Sequence, residues 1–363
     1  MTETNHTYIP PERGEKAPAL WGWHTLLSLG ITVAVFIVLA AYVDIEHLWQ
    51  ELNASNKWLL LLAGLAHYAT YPVRGMRWKY SLRHLPVRCS KARFGLLVFF
   101  YNFVDNLVPA KLGDLYAGHL ARINCGIRRS SALGSILFLR TLDAWVVFVL
   151  AALASWYLFK GSMPASVIWA LVIGCIFAVV ATVAMLLFVL LKRKVPGWFP
   201  EAIRKMIEAF RSGMWPKPKE LIPISALTVV IWILEILWIF LLVRAFNLRF
   251  NTVEIVFLTM IPLIASAFPI TPAGAGVVDL TLFTCLRVIG VSSPLAVSVT
   301  VVNRFIDYWL HIFLGALTWT LRKHIGLRTW RDVPPESVTP NERKQYEKFN
   351  LSILICGINL QFG

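Results

Sequence analysis

Two short motifs in this sequence could do chemistry that an oily chain does not otherwise allow. Arg140 and Asp143 lie three residues apart in the apolar run Ser131–Phe159. Arg304 and Asp307 repeat that spacing in Pro294–Leu321, with His311 one turn beyond. Residues three apart share a helix face. A charge near the bilayer centre costs about 2.5–3.5 kcal/mol on insertion scales, so such pairs do not face lipid. Two chemistries fit. The pairs could be buried ion pairs that pin helices together, or the arginines could grip an anionic headgroup while the aspartates pair or carry protons. Glu235, in the middle of the apolar run Leu221–Phe246, needs a partner for the same reason and is a coupling candidate.

The second signal is a pair of interruptions. "NLVPAKLGDL" (Asn106–Leu115) follows an apolar stretch, Phe94–Phe103, of about ten residues, half of what a span needs. "PITPAGAGVVDL" (Pro269–Leu280) follows the short run Val253–Phe268. Unpaired backbone in hydrocarbon costs about 4–8 kcal/mol per group on alkane-like scales. A broken helix at that depth therefore needs protein or water around it. Each elbow is expected to line a polar cavity, with Asn102, Asn106, Lys111 and Asp114 at the first and Thr271, Gly274, Gly276 and Asp279 at the second. Asp114 and Asp279 suit helix N-termini, which favour an acid. Such N-termini could also hold a phosphate through backbone N–H groups. Arg74 and Arg77, beside Trp78, read either as interfacial anchors or as first contacts for an entering phosphate. His67 and His119 read as satisfied structural histidines.

The elements that must carry these residues are helices in a membrane. The 363 residues are 57% hydrophobic and 15% charged, against about 25% charged in soluble proteins. The net charge of +15 sits in short loops beside apolar runs, a positive-inside pattern that argues against nucleic acid as partner. The expected fold is all-α and polytopic, with about six transmembrane helices and two re-entrant helical hairpins. Residues 1–19 form a cytoplasmic segment. Residues 20–159 form a first half with a hairpin at 94–125, and 167–321 a second half with a hairpin at 253–289 and an amphipathic surface helix at 198–210. Residues 322–363 form a cytoplasmic tail with an apolar end, 349–363. Both termini are expected on the cytoplasmic side of the cell membrane.

A shift of 164 residues superposes Arg140 on Arg304, Asp143 on Asp307, Gly126 on Gly290 and Ala132 on Ala296. The elbows coincide to within a residue, and loop charges orient the copies oppositely. An inverted-topology repeat, as in many secondary transporters, is expected. The five cysteines show no CxxC and no Cys/His cluster, so neither a disulfide framework nor a zinc site is expected. No hydrolase or nucleotide-binding motif is present, so the expectation is a non-enzyme without cofactor or metal.

"RGMRW", "NLVPAKLGDL", "SALGSILFLRTLD", "PITPAGAGVVDL" and "LAVSVTVVNR" together resemble the lysylphosphatidylglycerol synthase transmembrane region, the flippase-like domain family, over about Trp21 to Leu327. The resemblance implies translocation or handling of a polar lipid: an anionic phospholipid, a polyprenyl phosphate or a hopanoid-type lipid. The soluble synthase domain of bifunctional members is absent, so lipid synthesis is not implied. A separate lipid-modifying enzyme or glycosyltransferase is the implied partner of the rival reading, a non-transporting lipid-binding subunit. Both a monomer and an oligomer fit. The family pattern has Glu in both elbows, where this chain has Asp114 and Asp279. It has an arginine after the first acid, where Tyr116 and Ala117 stand, and an acid before the R-x-x-D arginine, where Leu139 stands.

Overall fold

The computed structural model describes residues 45–87, 89–107, 112–160, 162–190, 201–266, 274 and 276–329. The expected first span and N-terminal segment, both elbow tips with Pro109, Lys111, Thr271 and Pro272, and the tail beyond 329 lie outside the described residues. The fold is all-α. In chain order the helices are α1 Ile45–Ala54, α2 Lys57–Ser81, α3 Lys91–Leu107, α4 Leu112–Cys125, α5 Arg129–Phe159, α6 Ala165–Leu190, α7 Glu201–Met214, α8 Pro218–Ala245, α9 Thr252–Ala265, α10 Val277–Val288, α11 Ser293–Arg304 and α12 Leu310–Thr320. A π-helical turn, Phe305–Trp309, joins the last two.

Local chemistry sets the ends of these helices. Asn56 caps α2 by accepting from the Trp58 and Leu59 N–H groups. Asn251 and Glu254 exchange side-chain and backbone hydrogen bonds as a capping box at α9. Gly126 and Gly290, matched by the 164-residue shift, close α4 and α10 with φ of 69° and 92°. That left-handed conformation is the usual glycine stop. Helices α5, α8 and residues 165–187 of α6 are long and apolar enough to cross a membrane. In α6 only 11% of the apolar window is buried, and Trp169, Ile176 and Val180 stand exposed, which suits contact with lipid tails.

The helix order of 45–159 recurs over 201–320: a short helix, a long one, two short ones, a long one. The packing partners recur as well. Helix α7 lies on α5, and α1 lies on α11; α9 packs against α5, and α3 against α12. The pairs α3–α4 and α4–α5 answer to α9–α10 and α10–α11, while α2 packs against α8, its own counterpart, at the centre. The halves therefore interlock rather than sit side by side.

Three expectations are corrected here. The basic segment after Val73 is not a loop: α2 runs through Pro72 to Ser81 and buries Arg77 and Trp78. The span 294–321 is not one regular α-helix, because the π turn interrupts it. Cys89 and Cys125, 36 residues apart, form a disulfide although no CxxC marks them. They flank α3 and α4, and two antiparallel short helices bring the chain back to its starting level. On the chain-entropy account such a loop contributes about 4 kcal/mol.

Helix α7 is held close to α5 by two glycines. A Cβ at Gly134 would overlap the Phe210 carbonyl, and one at Gly213 the Ser131 carbonyl. Small residues at such crossings let backbones approach. Gly213→Ala is expected to destabilise the protein by about 1–3 kcal/mol through overpacking, seen as a lower midpoint in a detergent thermal melt.

Candidate functional site

Four arginines of the apolar helices, Arg74, Arg77, Arg140 and Arg304, each meet a carboxylate on a different helix. Arg77 of α2 takes Asp143 of α5 with both amino groups, at 2.6 and 2.7 Å, and also donates to Thr228 of α8 at 3.1 Å. Arg74, one turn earlier, donates to Glu235 of α8 at 2.6 Å and lies 4.0 Å from Asp143. The Trp238 indole N–H donates to the second oxygen of Glu235 at 3.1 Å. A bidentate guanidinium–carboxylate pair is the strongest such contact, and burial without one would cost several kcal/mol.

The two R-x-x-D arginines do not pair with their own aspartates. Arg140 donates to Asp114 of α4 at 2.9 Å. Arg304 grips Asp279 of α10 through Nε and an amino group, both at 2.7 Å. In each half the arginine of the long helix reaches the acid at the start of the preceding short helix. Asp279 also accepts the Gly276 N–H at 2.9 Å, closing the first turn of α10 where Gly276 has φ of 84°. At the first hairpin a different acid makes the comparable bond: Asp105 accepts the Gly113 N–H at 2.8 Å.

Exposure separates these arginines. The side chains of Arg77 and Arg304 are 4% and 6% exposed; those of Arg74 and Arg140 are 21% and 36% exposed. The latter two line a cavity of about 210 Å³ between α2, α3, α5, α8, α9, α10, α11 and the π turn. Its polar wall also includes His67, Asn102, Glu235, Asn303 and Asp307. Its apolar wall includes Leu258, Leu263 and Leu282. The volume lies below the roughly 300–1,000 Å³ of a drug-sized pocket.

The sequence-derived candidates divide accordingly. Arg74, Arg140, Asn102, Glu235 and Asp307 come together at the cavity. Arg77, Asp143, Arg304 and Asp279 form the clamps around it. Asp114 stands behind Arg140. Asn106 on α3, Gly274 and Gly276 are not among the lining residues. Lys111 and Thr271 lie outside the described residues. His311 is fully engaged: its Nε2 is 3.2 Å from the Phe99 carbonyl and its Nδ1 is 2.7 Å from the Tyr71 hydroxyl. A carbonyl only accepts, so the neutral ring carries its proton on Nε2 and Tyr71 donates to Nδ1. Sequence reasoning missed Asn303 and misread His67. Both are buried cavity residues, and His67 is not satisfied: neither ring nitrogen has a hydrogen bond among the described residues. Asn303 could have been noticed as the neighbour of Arg304; nothing in the sequence marks His67.

A family model for the lysylphosphatidylglycerol synthase TM region matches residues 25–315, most of the chain. The chain belongs to that family. It is a multi-pass membrane protein of the kind this family describes. A UPF0104 membrane protein of Methanocaldococcus jannaschii is 24% identical over 216 residues, 59% of this chain and 92% of the relative. One from Methanothermobacter thermautotrophicus is 23% identical over 318 residues, covering 80% and 92%. A glycosyltransferase of Haloferax volcanii, AglD, is 27% identical over 125 residues, 34% of this chain and 20% of that protein.

The clamps are expected to hold the fold rather than a ligand. Asp279→Asn should cost about 3–5 kcal/mol by removing the carboxylate charge that balances buried Arg304. Asp279→Leu with Arg304→Met should recover most of that loss in the same thermal melt.

Proposed function

We propose that this protein moves a polar, phosphate-bearing lipid headgroup across the cytoplasmic membrane while the acyl or prenyl tails stay in the bilayer. The observation that carries this reading is the pair of half-exposed arginines, Arg74 and Arg140, in one headgroup-sized cavity where the two halves meet. A guanidinium offers five donors in a planar fork. Arg74 and Arg140 each spend only part of that fork on Glu235 and Asp114, so donors remain for phosphate oxygens. The apolar wall and the lipid-facing helices leave a route for the tails. Arg304, locked on Asp279, serves to hold α10 against α11.

Transport would follow from rocking of one half against the other around this site. In that scheme α3–α4 and α9–α10 are the two re-entrant hairpins of an inverted repeat. The exchange-symmetric packing of the helices supports it. The protein acts without covalent chemistry on the lipid. Its basic loops orient both termini to the cytoplasm. The Cys89–Cys125 disulfide pulls the other way, since disulfides are rare in that compartment. Labelling of Cys89 in a Cys125→Ser protein by an impermeant maleimide decides between them: protection in intact cells is expected.

A second reading is a lipid-binding subunit that presents lipid to a glycosyltransferase. The match to part of AglD favours it. Both readings use the same cavity and differ in whether the protein alone moves lipid.

Proteoliposomes carrying fluorescent phosphatidylglycerol separate them. Wild-type protein is expected to transfer the headgroup between leaflets. Arg140→Gln should slow transfer about ten- to hundredfold, the equivalent of one charged hydrogen bond of about 1.5–3 kcal/mol, in protein that a thermal melt shows to be lowered in stability but folded at the assay temperature. Lipid retained by the protein but not transferred would favour the presenting subunit. Equal transfer by wild type and Arg140→Gln would remove Arg140 from the mechanism.

A further inference from the structure

The two halves use the same residue differently. Asp143 in the first half is clamped by Arg77 and lies in a regular α-helix. Its counterpart Asp307 rides on the π turn and is 40% exposed toward the cavity. Among the described residues its one close ionic partner is His67, with Nε2 3.5 Å from Oδ1, too long for a formed hydrogen bond. A π turn inserted in an α-helix frequently marks a functional site. Here the Tyr68 hydroxyl donates to the Ile306 carbonyl at 3.0 Å and so supports the turn.

Two further groups on this wall are incomplete. His67 and Asn303 are each only 5% exposed, yet both ring nitrogens of His67 and the Asn303 Oδ1 lack a hydrogen bond among the described residues. Leaving a buried polar group unsatisfied costs about 1–3 kcal/mol. Such a wall has capacity for a further hydrogen-bonding group.

The surrounding charges show what that is. Facing Asp307 are His67, Tyr68 and Tyr71 from α2, Arg304 from α11 and His311 from α12. Arg304 is neutralised by Asp279, and His311 is held between Tyr71 and Phe99. Across the cavity, Arg74 is matched by Glu235 and Arg140 by Asp114. With His67 neutral, Asp307 is the one carboxylate in the wall without a cationic clamp.

We propose that His67 and Asp307 form a single proton-binding site in the cavity wall, and that an anionic headgroup loads together with that proton. The proton would sit on His67 Nε2, hydrogen-bonded to Asp307 Oδ1. Its arrival cancels the carboxylate charge, so a phosphate near Arg74 and Arg140 no longer meets a like charge. Its departure expels the anion. The loading half of this inference rests on the lipid-headgroup reading; the proton site does not.

The test has two arms on the full-length protein. Difference infrared spectroscopy in detergent follows its titration from about pH 5 to 8, the range in which an imidazole changes charge. A carboxyl–imidazole transition is expected in wild type, lost in Asp307→Asn, altered in His67→Gln and moved but retained in Asp307→Glu. Identical titrations in wild type and His67→Gln, or in wild type and a folded Asp307→Asn, would overturn the site. In proteoliposomes with fluorescent phosphatidylglycerol, an imposed pH gradient is expected to speed wild-type transfer several-fold and to leave transfer by Asp307→Asn and His67→Gln unaffected. Gradient acceleration that persists in both variants would overturn the coupling. A present transition with no lipid transfer under any condition would retain the proton site and sink the transport reading instead.

Discussion

A charge inside an apolar helix has to be met by an opposite charge from another helix, and this rule organises the molecule. Arg77 and Asp143 tie α2 to α5, and Arg74 and Glu235 tie α2 to α8. Arg140 with Asp114 and Arg304 with Asp279 tie each long helix to the short helix before it. A lone ion in the apolar interior costs several kcal/mol even after relaxation, whereas a bidentate pair recovers much of that. The helices that carry these charges are therefore fixed relative to one another at the level where the pairs form. The cavity is the space left at that level, between α2 and α8 at the crossing of the two halves.

Within this frame the same residue types divide by exposure. Arg77 and Arg304 are buried with their donors aimed at carboxylates, and they act as rivets. Arg74 and Arg140 are each satisfied on one side and open on the other. Only a cation with spare donors on an accessible face can bind an anion without first breaking a buried pair. On the proposed reading, ligand contact falls to Arg74 and Arg140 and stability to the other two.

The helix packing repeats when the halves are exchanged, but the chemistry does not. The first half fixes its aspartate under an arginine; the second sets its aspartate on a π turn beside an unsatisfied histidine. The departure from the repeated packing sets an aspartate beside a histidine on one side alone.

Much of this could be seen in the chain itself. Apolar runs fixed the all-α membrane class and nearly every helix, because transfer free energy accumulates over residues regardless of what packs where. The R-x-x-D spacing, the elbow acids and Glu235 showed which residues would need partners, because burying a charge is costly wherever it happens. Partner choice was not visible, since it depends on which helices meet. Arg77 read as an interfacial anchor or a phosphate contact because local pattern cannot show that α2 continues past Pro72 against α5 and α8. Arg140 and Asp143 share a face, but their nearest opposite charges belong to α4 and α2. Cys89 and Cys125 gave no spacing signal, and His67 looked like any structural histidine. The sequence by itself determined which groups could not stay alone in an apolar medium; the tertiary structure decided which of them meet and that Asp307 sits by a histidine rather than under an arginine clamp, because that follows from distances between helices far apart in the chain.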